Sequence, residues 1–357
     1  ELAKAGETLT NQPSGRKNLV TNGAMQVAQR SASVADIGAA GGYFTLDRWN
    51  IATASSAGRL TMTQTADGPS GFANCLKLDC TTADTSIAAA ENLVLQQRFE
   101  GQDLQQIKKG TSDAELITFS FYVKANAAFT FGVELFDADN TRQITKLFDT
   151  TTGWVKHELT FPADTTGAFT DDNALSLTLG FWIHAGATFT SGTLNTAAWA
   201  ENDNANRAAG IDSFYSSTDN EFFLTGVQLE IGSQATNFEH RSFGEELALC
   251  QRYGWNIAAV VNGRVGVGQA VSATQADILV NHPVTMRAAP TLPSPDASGA
   301  NITSGDGSGI ASTGIAVQSA TTNATRFRVT VSSGLTAGQG SSLSFDATDD
   351  AFLTAEL

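Results

Sequence analysis

Apolar and polar residues alternate along much of the chain with the two-residue period of half-buried β-strands. The segment LSLTLGFWIH, residues 175–184, is the clearest case. Its odd-numbered residues are apolar and are predicted to face a core, whereas Ser176, Thr178, Trp182 and His184 are predicted to face outward. Comparable alternation occurs in LITFSFYVKA, WVKHELTF and EFFLTGVQLEI. About eight such segments without a long amphipathic helix predict an all-β fold, an antiparallel jelly-roll sandwich over residues 17–240.

A short helix is predicted at residues 241–256, between regions that otherwise consist of strands. Ser242 and Glu245 have the spacing of a capping box, which marks a helix N-terminus. The residues Leu247, Cys250 and Tyr253 recur at helical spacing and predict one buried stripe. A helix of about three turns is not stable alone in water, so we expect it to dock on a neighbouring domain or subunit.

A second, smaller β-sandwich domain is predicted over residues 257–357. Asn262 and Gly263 lie between two apolar runs, which is typical of a type I′ hairpin. Residues 294–312 are rich in Gly, Ser, Asp and Asn and predict a long loop. The segments RFRVTV, SLSF and FLTAEL are expected to supply further strands.

The composition narrows the class of protein. Of the 357 residues, 41% are hydrophobic and 16% charged, which suits a large packed core, and the net charge of −15 argues against nucleic acid or anionic lipid as a partner. No apolar run reaches the 18 residues needed for a membrane span.

Cys75, Cys80 and Cys250 suggest no disulfide framework and are expected to be buried thiols. Residues 1–16 are expected to form an N-terminal arm of a longer product.

The search for catalytic chemistry favours no enzyme. The sequence contains neither a Gly-x-Ser-x-Gly nucleophile elbow nor a phosphate-binding loop, and its four histidines lack metal-ligand spacing. The stretch DADNTR, from Asp137 to Arg142, begins like a calcium loop but lacks the required glycine, so a hairpin turn is the expected structure. A glycan-depolymerase activity remains only a minor alternative.

Exposed aromatic rings beside amides and carboxylates are the usual contacts for sugars, and two places fit that chemistry. One is the predicted outer face of residues 175–184, and the other is the polar loop that follows it. The candidate glycan contacts are Trp182, His184, Trp199, Asn202, Asp203 and Tyr215. The alternative for each aromatic residue is packing beneath the long loop or at a subunit contact.

An ordered set of longer motifs resembles a family of tailed-bacteriophage virion proteins, the tail fibre or tail spike proteins of the marine and cyanobacterial phage type. The motifs extend over roughly residues 17–292: NLVTNGAMQVAQRS, YFTLDRWNI, RFEGQDLQQIKKGTSDAELITFSFYVKA, LTGVQLEIGSQATNFEHRSFGEELALCQRY and HPVTMRAAPTL. The resemblance implies a sandwich like that of carbohydrate-binding modules, on an appendage that is usually trimeric. It implies no catalytic residues.

Two functions are expected from this combination. The first is a tail fibre that attaches to bacterial surface polysaccharide or lipopolysaccharide through several weak sites. The second is a purely structural virion component, such as a connector, fibre shaft or head decoration protein. Both place the chain in the virion, after assembly in the host cytoplasm, as a homotrimer that contacts other tail proteins, without nucleic acid or membrane insertion. No cofactor is expected, although jelly-roll modules can hold a structural calcium ion whose ligands the spacing does not identify.

Overall fold

A computed structural model describes residues 16–259, 263–293, 299–305, 307, 309–346 and 351–357. The first thirteen strands are β1 (Ser33–Ile37), β2 (Gly42–Tyr43), β3 (Asn50–Ala54), β4 (Arg59–Thr65), β5 (Cys75–Thr82), β6 (Asn92–Glu100), β7 (Ile117–Ala125), β8 (Thr130–Asp137), β9 (Arg142–Asp149), β10 (Val155–Phe161), β11 (Leu175–Ala185), β12 (Ala200–Glu201) and β13 (Glu221–Ile231). They form two antiparallel sheets, in the orders β1-β4-β5-β13-β7-β10 and β12-β9-β8-β11-β6-β3-β2. The predicted all-β jelly-roll sandwich is therefore confirmed.

The core between the two sheets follows the alternation of the sequence. Phe119 and Phe121 on β7 meet Phe181 on β11, with ring centroids 5.7 and 5.2 Å from that of Phe181. Trp49, which is fully buried, contacts the same Phe181 ring at 6.3 Å. Large aromatic side chains bury extensive apolar area, so this cluster stabilises the contact between the sheets.

The described C-terminal residues form eight strands, and six of these strands build a closed barrel. They are β14 (Gly254–Asn256), β15 (Arg264–Ala270), β16 (Gln275–Asn281), β17 (Ala300–Thr303), β18 (Gly309–Ala320), β19 (Ala324–Val331), β20 (Gly340–Phe345) and β21 (Phe352–Thr354). The barrel order is β15-β16-β19-β18-β17-β20, and β14 pairs with β21 beside it. The predicted second sandwich is corrected to a barrel because β20 pairs with both β15 and β17 and so closes the sheet.

Two local predictions in this region need correction. The predicted loop at residues 294–312 contains β17 and the start of β18. Asn262 of the predicted hairpin lies outside the described residues, as do residues 260 and 261 of the strand predicted before it. Residues Ile257–Ala259 instead form a short 3-10 helix, and β15 pairs with β16 and β20.

The described residues contain two α-helices, α1 (Ala187–Thr190) and α2 (Phe243–Gln251), neither of which is long enough to cross a membrane. Helix α2 has the predicted capping box between Ser242 and Glu245. Cys250 and Tyr253 are buried as predicted, but Leu247 is only half-buried. Helix α2 instead contacts the sandwich through a carboxylate: the buried Glu246 accepts a hydrogen bond from the main chain of Asn22.

Ion pairs join the sandwich to the segment that follows α2. Glu100, at the end of β6, is fully buried and accepts hydrogen bonds from Arg252 Nε and Nη2 at 2.8 and 2.6 Å. The Tyr253 hydroxyl donates to the same carboxylate at 2.5 Å. Burial alone would raise the pKa of Glu100, but the hydrogen bonds from Arg252 and Tyr253 outweigh burial and hold that pKa below its usual range.

The chain segment after β21 is held by further arginines of the sandwich. Arg30 Nη2 lies 3.1 Å from Glu356 Oε1, and the buried Arg48 donates to the other oxygen of that carboxylate. Arg98 Nη1 donates to the main-chain oxygen of Leu357 at 2.5 Å. These contacts and the Glu100 network define the joint, the set of ion pairs between the sandwich and residues 252–357.

The three cysteines are free thiols in the interior, as predicted. Burial raises the pKa of Cys75 and of Cys80 to about 11, and it raises the pKa of Cys250 well above its ordinary value. Since the thiolate is the reactive form, all three are unreactive at neutral pH. Of the predicted arm, residues 1–15 lie outside the described residues.

The joint is predicted to weaken in acid. A carboxyl whose pKa is depressed in the folded state stabilises it above the unfolded pKa and loses that contribution as pH falls through the folded pKa. We expect Glu100→Gln to cost about 3–5 kcal/mol at pH 7, because it leaves Arg252 without its charged partner. The stability gap between the variant and the wild type should shrink below the ordinary pKa of 4.5. Denaturant unfolding from pH 7 to pH 3 measures the gap, and a constant gap would contradict this assignment.

Candidate functional site

A cleft of about 980 Å³ opens between the sandwich and the β14–β21 pair that lies beside the barrel. Its sandwich side comes from the segment before β1 and from β2, and its other side comes from β14, β21 and their neighbours. The lining residues are Ala28, Gln29, Arg30, Ser31, Val34, Tyr43, Phe44, Asn256, Ala259, Pro293, Phe352 and Thr354. Clefts between domains are common ligand sites, because two surfaces can contribute complementary groups.

Three aromatic side chains in the lining, Tyr43, Phe44 and Phe352, are half-buried. The Arg30 guanidinium carbon lies 4.0 Å from the centroid of Phe352 and 5.3 Å from that of Tyr43. Burial and the nearby Glu356 carboxylate raise the pKa of Tyr43 to about 12, so its hydroxyl is neutral and can donate a hydrogen bond at physiological pH. The Arg30 side chain therefore fixes two rings, one from each side of the cleft.

Hydrogen bonds from one side of the cleft to the other hold two amide side chains of its lining. The Gln29 side-chain amide donates to Gly254 O at 2.9 Å, and Asn256 Nδ2 donates to Gln29 O at 3.1 Å. Asp47 lies behind Arg30, at 3.8 Å from Nη1, and burial raises the pKa of Asp47 to about 6. The cleft thus combines flat apolar rings with preoriented amide and hydroxyl groups. That chemistry suits an uncharged ligand with both ring faces and hydroxyls.

The structure contradicts the predicted exposure of Trp182 and His184. They are only 2% and 0% exposed, because the segment after β11, residues 186–213, folds back over this face of the sheet. Arg207 on that segment makes two hydrogen bonds to Glu134 at 2.8 and 2.7 Å, and Trp182 Nε1 donates to the same carboxylate at 2.9 Å. The network seals the face that was predicted to contact glycans.

The loop candidates also have structural roles. Trp199 is 7% exposed and donates from Nε1 to Pro162 O, while Tyr215 is fully buried. Asp203 is exposed, but its carboxylate accepts from Ala205 N at 3.1 Å and caps the 3-10 turn Asn204–Asn206. Asn202 is half-buried next to β9. The six candidates do not form an open platform, since only Asp203 among them is exposed.

A polar chain around His184 resembles a catalytic arrangement in its residue types alone. His184 Nδ1 lies 2.8 Å from Ser213 Oγ, and Nε2 lies 3.4 Å from Glu91 Oε2. Desolvation lowers the pKa of His184 despite the neighbouring Glu91, so the imidazole is neutral. Because the imidazole is fully buried, a substrate has no access to it in this structure, and satisfied burial explains the three residues.

Sequence reasoning missed the aromatic residues of the cleft. Tyr43 and Phe44 follow the paired glycines Gly41 and Gly42, and a Cβ at Gly41 would lie 2.6 Å from Ile51 O. A glycine at such a position indicates that two backbone segments approach closely. It could have indicated that the adjacent rings lie at the edge of a sheet. Phe352 is distant in sequence, so its place in the cleft depends on the tertiary fold.

The fold is that of a mostly β protein that combines a jelly-roll sandwich with a closed barrel. No family model and no curated protein matches the sequence. Among solved structures, this chain is similar to one described as "CBM4 structure and function", with 9% identity, a TM-score of 0.31, and coverage of 59% of this chain and 98% of the other. The structure of TmCBM61 in complex with β-1,4-galactotriose gives 8% identity, a TM-score of 0.31, and coverage of 61% and 100%.

A further similarity is to the enzymatically active domain of tailspike protein 4 of bacteriophage CBA120. The identity is 11% and the TM-score 0.32, and the match covers 60% of this chain but 21% of the tailspike chain. At these scores the similarities support no conclusion about a ligand or about site residues. Within the described residues, no group of three or more His, Cys, Asp or Glu could hold a metal ion.

Truncating a buried candidate is predicted to change stability rather than ligand binding. We expect Trp182→Ala to lower the free energy of unfolding by about 3–5 kcal/mol, because it leaves a cavity and removes a hydrogen bond to Glu134. Trp154→Ala, at a half-buried tryptophan, should cost less. Denaturant unfolding measures both. A Trp182→Ala protein with wild-type stability would contradict the burial of this side chain.

Proposed function

We propose that this chain binds glycans in the cleft between the sandwich and the β14–β21 pair, as part of a tail appendage of a tailed phage. The observation that carries the binding proposal is the lining of the cleft: Tyr43, Phe44 and Phe352 beside Gln29, Ser31 and Asn256. A pyranose ring offers an apolar face bordered by hydroxyls, and this combination of rings, amides and hydroxyls complements it. The assignment to a phage appendage rests on the ordered motifs of the sequence.

The charges favour a neutral glycan. Among the described residues that line the cleft, Arg30 alone is charged, and it is already paired with Glu356 and lies near Asp47. The chain has a net charge of −15, which repels polyanionic polymers. A bacterial surface polysaccharide, or the outer sugars of a lipopolysaccharide, would meet these conditions where it presents uncharged units.

We propose no catalytic role for the cleft. In the part of the lining that the structure describes, the ionisable side chains are Arg30 and Tyr43, and neither is a carboxyl group of the kind that glycosidases use in pairs. We expect each cleft to bind its sugar weakly, and several copies on one particle would convert weak sites into firm attachment.

The second candidate function is a purely structural virion component, and an exposed apolar pair favours it. Val267 on β15 and Leu279 on β16 face each other across the barrel surface and are 67% and 50% exposed. Exposed apolar side chains in direct contact are typical of surfaces that another protein covers. In this alternative, the barrel contacts other virion proteins or further copies of the chain.

Retention on immobilised polysaccharides tests the binding proposal. We expect retention on neutral polymers, and we expect Tyr43→Leu and Phe44→Leu each to weaken it roughly 2- to 10-fold, because leucine keeps apolar volume but loses the flat ring face. Phe243→Leu is the matched control, since Phe243 is 57% exposed on α2 and outside the cleft. Retention that is absent on all neutral and acidic polymers, or unchanged in both cleft variants, would contradict the proposal.

The assembly proposed for the appendage is a homotrimer, and it has a separate test. Analytical ultracentrifugation is expected to give three times the mass of one chain. Val267→Asp should shift the protein toward smaller species if the barrel surface contributes to assembly, because it places a charge in an apolar contact. A wild-type protein that sediments as a single chain at all concentrations would exclude the trimer.

A further inference from the structure

A lysine ammonium lies in an oxygen cage inside the sandwich, far in sequence from the cleft residues. Lys109 follows the 3-10 turn Gln105–Ile107, and its side chain is 1% exposed. Its Nζ atom lies 2.6 Å from Asp137 Oδ2 and 3.0 Å from Asp164 Oδ2. It also donates to two main-chain carbonyls, Thr166 O and Gly167 O, each at 2.8 Å.

This cage has the donor chemistry of a metal site. An ammonium group has three protons, but four oxygens lie within 3.0 Å of Nζ, so they surround a positive charge rather than match three hydrogen bonds. Two carboxylates and two carbonyls are also typical ligands of Ca²⁺. Asp137 begins the very stretch that resembles a calcium loop in sequence, and the expected turn does join β8 and β9 there.

The cage keeps its shape through contacts that do not involve Lys109. Asn140 donates to Asp137 from its main-chain and side-chain nitrogens, each at 3.0 Å. Arg142 donates to Asp164 at 2.8 and 3.2 Å, and Thr166 N donates to Asp164 Oδ1 at 3.0 Å. Both carboxylates are therefore oriented by groups that would remain after truncation of the lysine.

We propose that the Lys109 ammonium takes the place of a bound metal ion, and that the cage binds Ca²⁺ once this side chain is removed. The charge balance supports the exchange. Lys109 and Arg142 together neutralise Asp137 and Asp164, so the loss of the ammonium leaves one excess negative charge in the interior. We expect water molecules to enter the space that the side chain vacates, and the four oxygens, which lie 2.6–3.0 Å from Nζ, must move inward by a few tenths of an ångström to reach Ca–O distances of about 2.3–2.6 Å.

The test compares two variants at the same position by thermal unfolding. Lys109→Ala should lower the Tm by on the order of 10 °C in EDTA, and millimolar Ca²⁺ should restore at least half of the loss. Lys109→Met is the matched control, because it removes the charge but fills the space, so Ca²⁺ should not restore its Tm. Wild-type protein should show the same Tm in EDTA and in Ca²⁺.

Luminescence of Tb³⁺ gives a readout that does not depend on stability. The Trp199 ring centroid lies 5.5 Å from Lys109 Nζ, close enough to sensitise a lanthanide in the cage. Bound Tb³⁺ should emit in Lys109→Ala but not in Lys109→Met, and Asp137→Asn added to Lys109→Ala should abolish the signal. Equal Ca²⁺ responses of the two variants, no emission, or a Lys109→Ala protein that stays unfolded with Ca²⁺ present would each overturn the proposal.

Discussion

The pairing of arginines with buried carboxylates at the joint is the constraint on which the cleft depends. Glu100 is fully buried, and Glu356 retains only 6% of its side-chain exposure. Each would be costly to bury without a cation, because desolvation strongly disfavours an unpaired charge. Arg252, which follows α2, pairs with Glu100 of the sandwich, and Arg48 of the sandwich pairs with Glu356, which follows β21. Because each pair joins the sandwich to the C-terminal segment, both pairs form only when the two parts meet in one orientation. The walls of the cleft follow from that orientation.

The strands of the sandwich could be predicted from sequence because each has one face in the core. Residues 117–125 and 175–184 show this directly, since the apolar residues of β7 and β11 meet in the interior. The same rule misled the site prediction. Alternation predicts that a polar or amphipathic residue on the second face is exposed, but Trp182 and His184 lie beneath residues 186–213. The signal that decides this is the Arg207–Glu134 pair, whose members are 73 positions apart and have no local pattern.

Closure of the barrel could not be predicted from the sequence pattern either. Alternation indicates which residues of a strand face inward, but it does not indicate which strand pairs with which. The decisive contacts are the pairings of β20 with β15 and β17, and the second of these involves residues 300–303, which are polar enough to resemble a loop. The cleft shares this limitation, because Tyr43 and Phe352 become neighbours of one guanidinium only after both domains have folded. Local prediction therefore supplied the parts of the fold, and long-range ion pairs determined how they meet.

The same device recurs where this chain must hold an irregular segment. Arg252 on Glu100 fixes the joint, Arg207 on Glu134 fixes residues 186–213, and Lys109 between Asp137 and Asp164 fixes the β8–β9 turn against the loop at residues 164–169. A long cationic side chain can reach from one segment into another, where it neutralises a buried carboxylate. The contact therefore needs neither a disulfide nor a dissolved ion. The three thiols, which are free and buried, make no such links. Because these cations are committed to internal carboxylates, they contribute little free positive charge to the surface, and an overall charge of −15 is left to act on ligands there. The preference for an uncharged ligand that we propose thus depends on the same ion pairs that stabilise the interior.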